Sequence, residues 1–287
     1  TFGNVNIIGA RDNKYSTSIG MIKNFNNKLR EKYNKIDYHL FTQEPFWMCG
    51  QNPNWVKWHY DNLFTNNSSG FAYTELGQEN GFGWNEKLEN ALKYQYEFAF
   101  AERQKYGFEY TTFGEMGKKF KKEYQTTPIT CSYALSDWAD KGNKSIWFNS
   151  KYYRINVFSD NKKVWIRDIQ KYDETQKDPY LDSPCLNKDG VYDALPIMDG
   201  VQFSGDTVKA GIYFGEGTIC SVNKENDRTV IEIIADGKKI QLFLKEESVE
   251  IVSESTIKAD FVYKNNCDFI KEISSANISY KHHNYIH

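Results

Sequence analysis

The sequence predicts an α/β chain followed by an all-β part: parallel (β/α) units in a partial or incomplete barrel, then an antiparallel β-sandwich. Two observations predict this. Up to about residue 125, short apolar runs alternate with segments of helical periodicity, as in parallel sheets. After Pro128 the helical periodicity disappears, and short alternating segments joined by turn residues are typical of a β-sandwich. We therefore predict a barrel-like domain over residues 1–127 and a β-sandwich domain over residues 128–287.

Four strand–helix units are predicted in the first part. The predicted strands are Val5–Ala10, Ile36–Thr42, Phe71–Glu75 and Phe108–Thr111. The predicted helices run from Ser16 or Thr17 to about Tyr33, from Pro53 to about Phe64, from Asn85 to Tyr106, and from Thr112 to about Tyr124. A closed eight-stranded barrel needs about 250 residues. Four units therefore indicate either a small open sheet or the later part of a longer barrel.

The helix from Asn85 is the clearest of the chain. It has an apolar side formed by Leu88, Leu92, Tyr96, Ala99 and Phe100, with Gly107 as a C-terminal cap. In the next helix, Thr112 and Glu115 have the spacing of a capping box, in which side chains satisfy first-turn amides. We therefore interpret Glu115 as structural.

After Pro128, nine segments have the composition of short strands. They are SIWFNS, YYRINVFS, KVWIRDIQKY, GIYFG, GTICSV, TVIEIIA, KIQLFLK, VEIVS and ADFVYK. The pair Asp236-Gly237 lies between two of them and predicts a β-hairpin.

Composition excludes several function classes. The 287 residues have a net charge of -2, so nothing favours nucleic acid as a partner. No apolar run approaches the roughly 20 residues that span a bilayer, and no membrane span is predicted. Aromatic residues make up 16% of the chain, which indicates either an aromatic-rich core or rings that line a sugar site.

Two glutamates are the candidate catalytic residues. Glu44 and Glu75 each follow a predicted strand, and adjacent parallel strands lie about 4.8 Å apart. These carboxylates could approach the roughly 5 Å separation of retaining glycosidases, where one protonates the leaving oxygen and the other attacks. Glu79 and Asp12 are alternative partners at wider spacing. The predicted substrate-binding residues are Arg11, Asp12, Trp47, Glu79 and Trp84.

Other chemistry lacks a motif. The five histidines show no HxxxH or HExxH spacing, the five cysteines form no CxxC pair, and His39 is interpreted as a buried structural residue. No GxSxG, GxGxxG or P-loop occurs. The sequence therefore predicts no metal and no cofactor. Trp55 and Trp58 are expected in the core, whereas Trp147 and Trp165 are candidates for ligand binding.

The run EKLENALKYQYEFAFAERQKYGFEYTTFGEMGKKF resembles the closing unit of sugar-processing barrels in the polysaccharide-deacetylase-like and related glycoside hydrolase families. The segments LFTQEPFWMCGQNPNWVKWHYD, YTELGQENGFGW and SIWFNSKYYRINVFSDNKKVWIRDI are similar to bacterial two-domain proteins of unknown function with a barrel-like domain and a β-sandwich. The Asp/His/His metal set of the deacetylases has no counterpart in this sequence. The resemblance implies a carbohydrate context.

Three functional hypotheses follow. The first is a glycoside hydrolase that acts on a carbohydrate ligand through Glu44 and Glu75. The second is a non-catalytic glycan-binding or scaffold protein. The third is a relative of the metal-dependent polysaccharide deacetylases. A secreted or periplasmic location is expected if the chain degrades carbohydrate.

Overall fold

The computed structural model describes residues 53–66, 72, 74, 84–125, 128–172, 195–200, 203–205, 207–263, 270–273, 278–282 and 285–286. The helices in these ranges are α1 (Pro53–Thr65), α2 (Glu86–Tyr106) and α3 (Phe113–Glu123). The strands are β1 (Thr130–Ala134), β2 (Lys144–Asn149), β3 (Tyr153–Ser159), β4 (Lys163–Lys171), β5 (Leu195–Asp199), β6 (Gly211–Lys224), β7 (Arg228–Ala235), β8 (Lys238–Lys245), β9 (Val249–Ser253), β10 (Asp260–Val262), β11 (Ile270–Ile273), β12 (Ile278–His282) and β13 (Tyr285–Ile286).

The predicted fold class is wrong. Throughout the described ranges, the main element is a single open antiparallel sheet of ten strands, accompanied by three helices and no parallel β/α unit. The resemblance to barrel-like proteins is therefore wrong. The expectations of a TIM-barrel-like fold and of a role in carbohydrate metabolism, which rested on that resemblance, are corrected with it. The physical reason is that residues 107–112 join α2 to α3 without forming a strand and that the strands of the main sheet pair antiparallel, so the described residues form no crossover between parallel strands. The division into domains at residue 127 stays a prediction.

The three described helices agree with the predicted ones nearly to the residue. The side chain of Asn85 accepts a hydrogen bond from Leu88 N at the start of α2. At its end, Gly107 adopts φ 67°, and its N–H donates to Arg103 O. That left-handed backbone favours glycine, so the predicted C-terminal cap is confirmed.

The predicted strand Phe108–Thr111 is wrong, since these residues join no sheet. Phe108 packs instead against α1, with its ring centroid 5.1 Å from that of Phe64 and 5.8 Å from that of Tyr60. Phe108, whose apolar side chain suggested a strand, therefore packs among the aromatic rings of α1. In the predicted strand Phe71–Glu75 only Ala72 and Thr74 are described, and neither is in a strand. The predicted strands Val5–Ala10 and Ile36–Thr42, and the helix ending near Tyr33, lie outside the described residues.

The capping box at α3 is confirmed. Glu115 N donates to Thr112 Oγ1 at 3.2 Å, and Thr112 N donates to Glu115 Oε2 at 3.4 Å.

We expect Thr112→Ala to lower the free energy of unfolding by about 1 kcal/mol, because an amide of the first turn loses its acceptor. Urea denaturation followed by circular dichroism measures this loss. Lys118→Ala, at an exposed position of the same helix, is the control, and an equal loss in both variants would contradict the assignment.

All strand pairs of the main sheet are antiparallel, in the order β1-β2-β3-β4-β6-β7-β8-β9, with β5 beside β4 and β10 beside β6. A separate three-stranded sheet contains β11, β12 and β13. Asp236 and Gly237 have φ 50° and 73° between β7 and β8. Positive φ at both turn positions is the geometry of a type I′ hairpin, so this prediction is confirmed.

Strand β6 is one long strand where the sequence predicts two, GIYFG and GTICSV. Residues 212–216 pair with β4, and residues 217–224 pair with β7. Gly215 adopts φ 117° at the change of partner. At Gly217 an added Cβ would lie 1.9 Å from Ile234 O, so the two strands approach too closely for a side chain. These glycines do not end a strand; they let one strand change its partner.

The sheet folds over, so that strands far apart in the order share one core. The largest apolar cluster contains Ile146 and Ile155 from β2 and β3 together with Ile231 and Leu242 from β7 and β8. Across this core, Tyr153 OH donates to Lys245 O at 2.6 Å and lies 3.0 Å from Ser248 O. The central strands therefore bury one face against each other and not against the helices.

The helices attach to one edge of the sheet. Trp58 Nε1 donates to Ser136 O at 2.8 Å, and Tyr133 N donates to Asn66 O at 3.3 Å. The second bond places the residue after α1 on the outer side of β1. No described helix is both long and apolar enough to cross a membrane.

Candidate functional site

Most of the predicted site residues cannot be placed. The candidate catalytic residues Glu44 and Glu75 lie outside the described residues, as do the predicted binding residues Arg11, Asp12, Trp47 and Glu79. Their proximity and roles stay predictions. Trp84 is the described member of the set.

Trp84 immediately precedes the N-cap of α2 and is 65% exposed. A tryptophan this exposed is available for stacking on a ligand. The two tryptophans of the sheet that the sequence makes candidates for binding differ from it: Trp147 and Trp165 are both buried. The expectation that they bind a ligand is therefore wrong. Trp55 is in the core, as predicted, and Trp58 is partly buried against the same cluster.

His59 lies inside the helical part of the fold. Its ring stacks on Trp55 with centroids 5.2 Å apart, and its Nε2 lies 3.0 Å from Thr74 Oγ1. Burial lowers the pKa of His59 from 6.5 to about 4, because the charged imidazolium loses water without gaining a carboxylate. The ring is therefore neutral near pH 7. The contact joins α1 to Thr74.

A polar network lies at the junction of α1 and α2. Asp61 accepts from Tyr106 OH at 2.6 Å, from Lys105 Nζ at 3.2 Å and from Lys57. Burial acts to raise the pKa of Asp61, but these three donors outweigh it and keep that pKa below its usual value. Burial also raises the pKa of Tyr106 to about 12. All the groups are mutually satisfied, so the network holds the helices together and offers no reactive group.

The exposed side of α2 has an unusual composition. Tyr96 and Phe100 are 48% and 75% exposed, one helical turn apart. The Arg103 guanidinium then lies 5.8 Å from the ring centroid of Tyr110, which is 50% exposed. We call Tyr96, Phe100, Arg103 and Tyr110 the aromatic surface. Because an α-helix rises about 1.5 Å per residue, the part of the aromatic surface from Tyr96 to Arg103 is about 10 Å long.

The aromatic surface corrects the interpretation of helix periodicity. Periodicity places Tyr96 and Phe100 with Leu88 on one apolar side, but the residues that α2 buries are Leu88, Ala91, Gln95 and Ala99. Small residues at positions 91 and 99 suit a close approach to α1. The bulky rings are left facing solvent, where charged residues are the usual choice.

A second polar cluster lies on the sheet, on the face opposite the main core. Arg154 of β3 forms an ion pair with Asp168 of β4 at 2.9 Å, and both side chains are buried. Asp199 of β5 is the cross-strand partner of Asp168 and is also buried. An arginine and two carboxylates thus share one water-poor face.

Neighbouring side chains extend this polar cluster on the sheet, which we call the sheet cluster. Arg167 Nε donates to Asn156 Oδ1 at 2.7 Å, and Asn156 Nδ2 donates to Ile146 O at 2.9 Å. The guanidinium carbons of Arg154 and Arg167 lie 5.6 and 6.0 Å from the ring centroid of Trp147. Since Arg154 is paired with Asp168 and Arg167 with Asn156, and all of them but Arg167 are buried, we interpret the sheet cluster as structural.

Sequence reasoning missed the sheet cluster. Arg154 and Asn156 alternate with the apolar residues of β3, a pattern that normally indicates a solvent-facing side. The available signal was Trp147, which has the same alternation on β2 and is too large and apolar for a fully solvated face. The described residues include no group of three or more His, Cys, Asp or Glu side chains arranged to hold a metal ion.

Comparison of the chain with protein-family models, curated proteins and solved structures gave no match.

Proposed function

We propose that this chain is a non-catalytic glycan-binding protein that holds a neutral carbohydrate on the aromatic surface of α2. The observation that supports the proposal is the exposure of Tyr96 and Phe100, one helical turn apart on a helix whose other side is packed. Exposed aromatic rings grouped on one surface are costly in water and are typical of binding sites.

Ring chemistry favours a sugar over an extended apolar partner. Tyrosine and phenylalanine faces match the apolar faces of pyranose rings, whereas the hydroxyls of Tyr96 and Tyr110 and the guanidinium of Arg103 can bond sugar hydroxyls. A ligand of this kind is flat, amphipathic and rich in hydroxyl groups.

Charge around the surface favours a neutral glycan. Lys93 lies 3.8 Å from Glu97, and Lys119 lies 3.7 Å from Glu109, so these exposed charges compensate one another. Arg103 is the cation of the aromatic surface itself and already faces the ring of Tyr110. A uronic-acid polymer would require more uncompensated positive charge than the described residues offer at this surface.

Among the exposed rings, Phe100 should contribute most to binding. We expect Phe100→Ala to weaken binding of a soluble neutral polysaccharide by about tenfold or more, because the most exposed ring of the aromatic surface is lost. Isothermal titration against mixed-linkage glucan, xylan and mannan measures this. Trp84→Ala, at the start of the same helix, is expected to weaken binding less.

Tyr152→Ala is the matched control, because Tyr152 is another exposed ring that lies outside the helical part. It should leave the affinity within about twofold. The proposal is wrong if the native chain binds none of these glycans, or if Phe100→Ala and Tyr152→Ala bind equally well.

A further inference from the structure

The two edges of the main sheet differ in their backbone partners. On the outer side of β1, Tyr133 N donates to Asn66 O, so the helical part supplies a partner at that edge. At the other edge, β9 pairs with β8, and no second described strand lies beside it. Strand β9 therefore presents a row of backbone groups in the geometry that a further strand requires.

Strand β9 has little of the usual protection of an edge, since Glu250 is its one charged residue. The sequence VEIVS contains neither proline nor lysine, and three of its five residues are β-branched and apolar. Ile251 and Val252 are 44% and 47% exposed. Because they follow one another in a strand, they face opposite sides of the sheet, so both sides of the edge have an apolar residue ready for contact.

Register shows what an added strand would meet. Ile251 lies opposite Leu242 of the main core, so one side of the edge continues that core. Glu250 lies opposite Phe243 on the other side. A matching strand would therefore have apolar residues at alternate positions and polar residues between them.

Charge identifies the polar residues of the partner. Four glutamates and no lysine or arginine occur from Glu246 to Glu254. Glu246 pairs with Lys151 and Glu250 with Lys245. Glu247 and Glu254 are exposed and lie in no ion pair of the described residues, although the charge of Glu254 helps to raise the pKa of Lys239 nearby. They leave negative charge at both ends of β9, which opposes a second copy of this edge and attracts a basic strand.

We propose that β9 is a docking edge for an extended basic segment of another protein, which adds to the sheet as a further strand by β-augmentation. Backbone hydrogen bonds supply the pairing. Apolar residues of the segment continue the face that contains Ile251, and its lysines or arginines lie near Glu247 and Glu254. The glycan surface on α2 is a separate site.

Fluorescence anisotropy with the full chain and a labelled peptide of about seven residues, alternating lysine and valine, tests this proposal. We expect this peptide to bind about tenfold or more tightly than the same peptide with glutamate for lysine. A third peptide, with proline in place of the central valine, keeps the charge but cannot pair as a strand and should lose binding. Hydrogen exchange at residues 249–253 should slow in the complex.

The double variant Glu247→Lys/Glu254→Lys keeps β9 itself unchanged and should reverse the preference toward the glutamate peptide. Equal binding of the proline peptide, protection of residues elsewhere, or no binding of the lysine peptide at millimolar concentration would each overturn the proposal.

Discussion

Replacing Arg154 by methionine is expected to destabilise the protein strongly, by about 3–5 kcal/mol. The guanidinium lies 2.9 Å from the Asp168 carboxylate, and both side chains are buried. The substitution removes a positive charge that offsets a carboxylate held away from water. Because domains are commonly stable by about 5–15 kcal/mol, this loss would be visible as a large shift in the urea midpoint.

The size of this effect is tested against two controls. Lys93→Met breaks the largely exposed pair with Glu97, and we expect a loss below about 1 kcal/mol. The double variant Arg154→Met/Asp168→Leu removes both partners of the ion pair and should recover most of the stability lost in Arg154→Met. A loss below about 1 kcal/mol in Arg154→Met would contradict the assignment of a buried ion pair.

Acid should destabilise the protein through His59. Its pKa is about 4 in the folded chain and 6.5 when unperturbed, so between these values the unfolded chain binds a proton that the folded chain does not. Stability is therefore unaffected by this group above about pH 6.5, falls as the pH drops through this window, and has lost its full share below about pH 4. The total corresponds to roughly 3 kcal/mol.

The measurement compares urea unfolding of the native chain and of His59→Gln at about pH 7 and at about pH 4.5, on either side of most of this titration. Carboxylates contribute to the pH dependence of both proteins, so the difference between them isolates His59. We expect the variant to lose less stability on acidification. Parallel pH profiles would show that His59 is not buried as a neutral ring.

Local signals in the sequence were sufficient for the described helices and for most strands of the sheet. Asn85 and Gly107 delimit α2, and the Asp236-Gly237 pair determines a hairpin, because each acts through its own backbone or its immediate neighbours. These features depend on residues only a few positions apart. Sequence patterns report such short-range physics well.

The architecture could not be obtained in the same way. Alternation of apolar runs and helices suggested parallel units, but Phe108 packs on α1 and forms no strand. An apolar residue can belong to a strand or pack against a helix, and long-range packing decides which of the two occurs. At Gly215 the error was the opposite one, since the sequence predicts two strands where the structure has the single strand β6. A strand that changes its pairing partner resembles two strands in the sequence.

The candidate site shows the same division. Trp84 is exposed, and its role in substrate binding stays a prediction. The exposure of Tyr96 and Phe100 depends on which side of α2 meets α1. That choice is made by Ala91 and Ala99, whose small size allows close packing. Periodicity alone favours the side with the largest apolar residues.

The most direct test of the proposed function measures retention and turnover together. The purified chain is mixed with insoluble cellulose, xylan, mannan and chitin, and both bound protein and released reducing sugar are determined over a day. We predict retention on at least one neutral glycan, competed by its soluble oligosaccharide, with no release of sugar. Release that is lost in Glu44→Gln or Glu75→Gln would contradict a non-catalytic role.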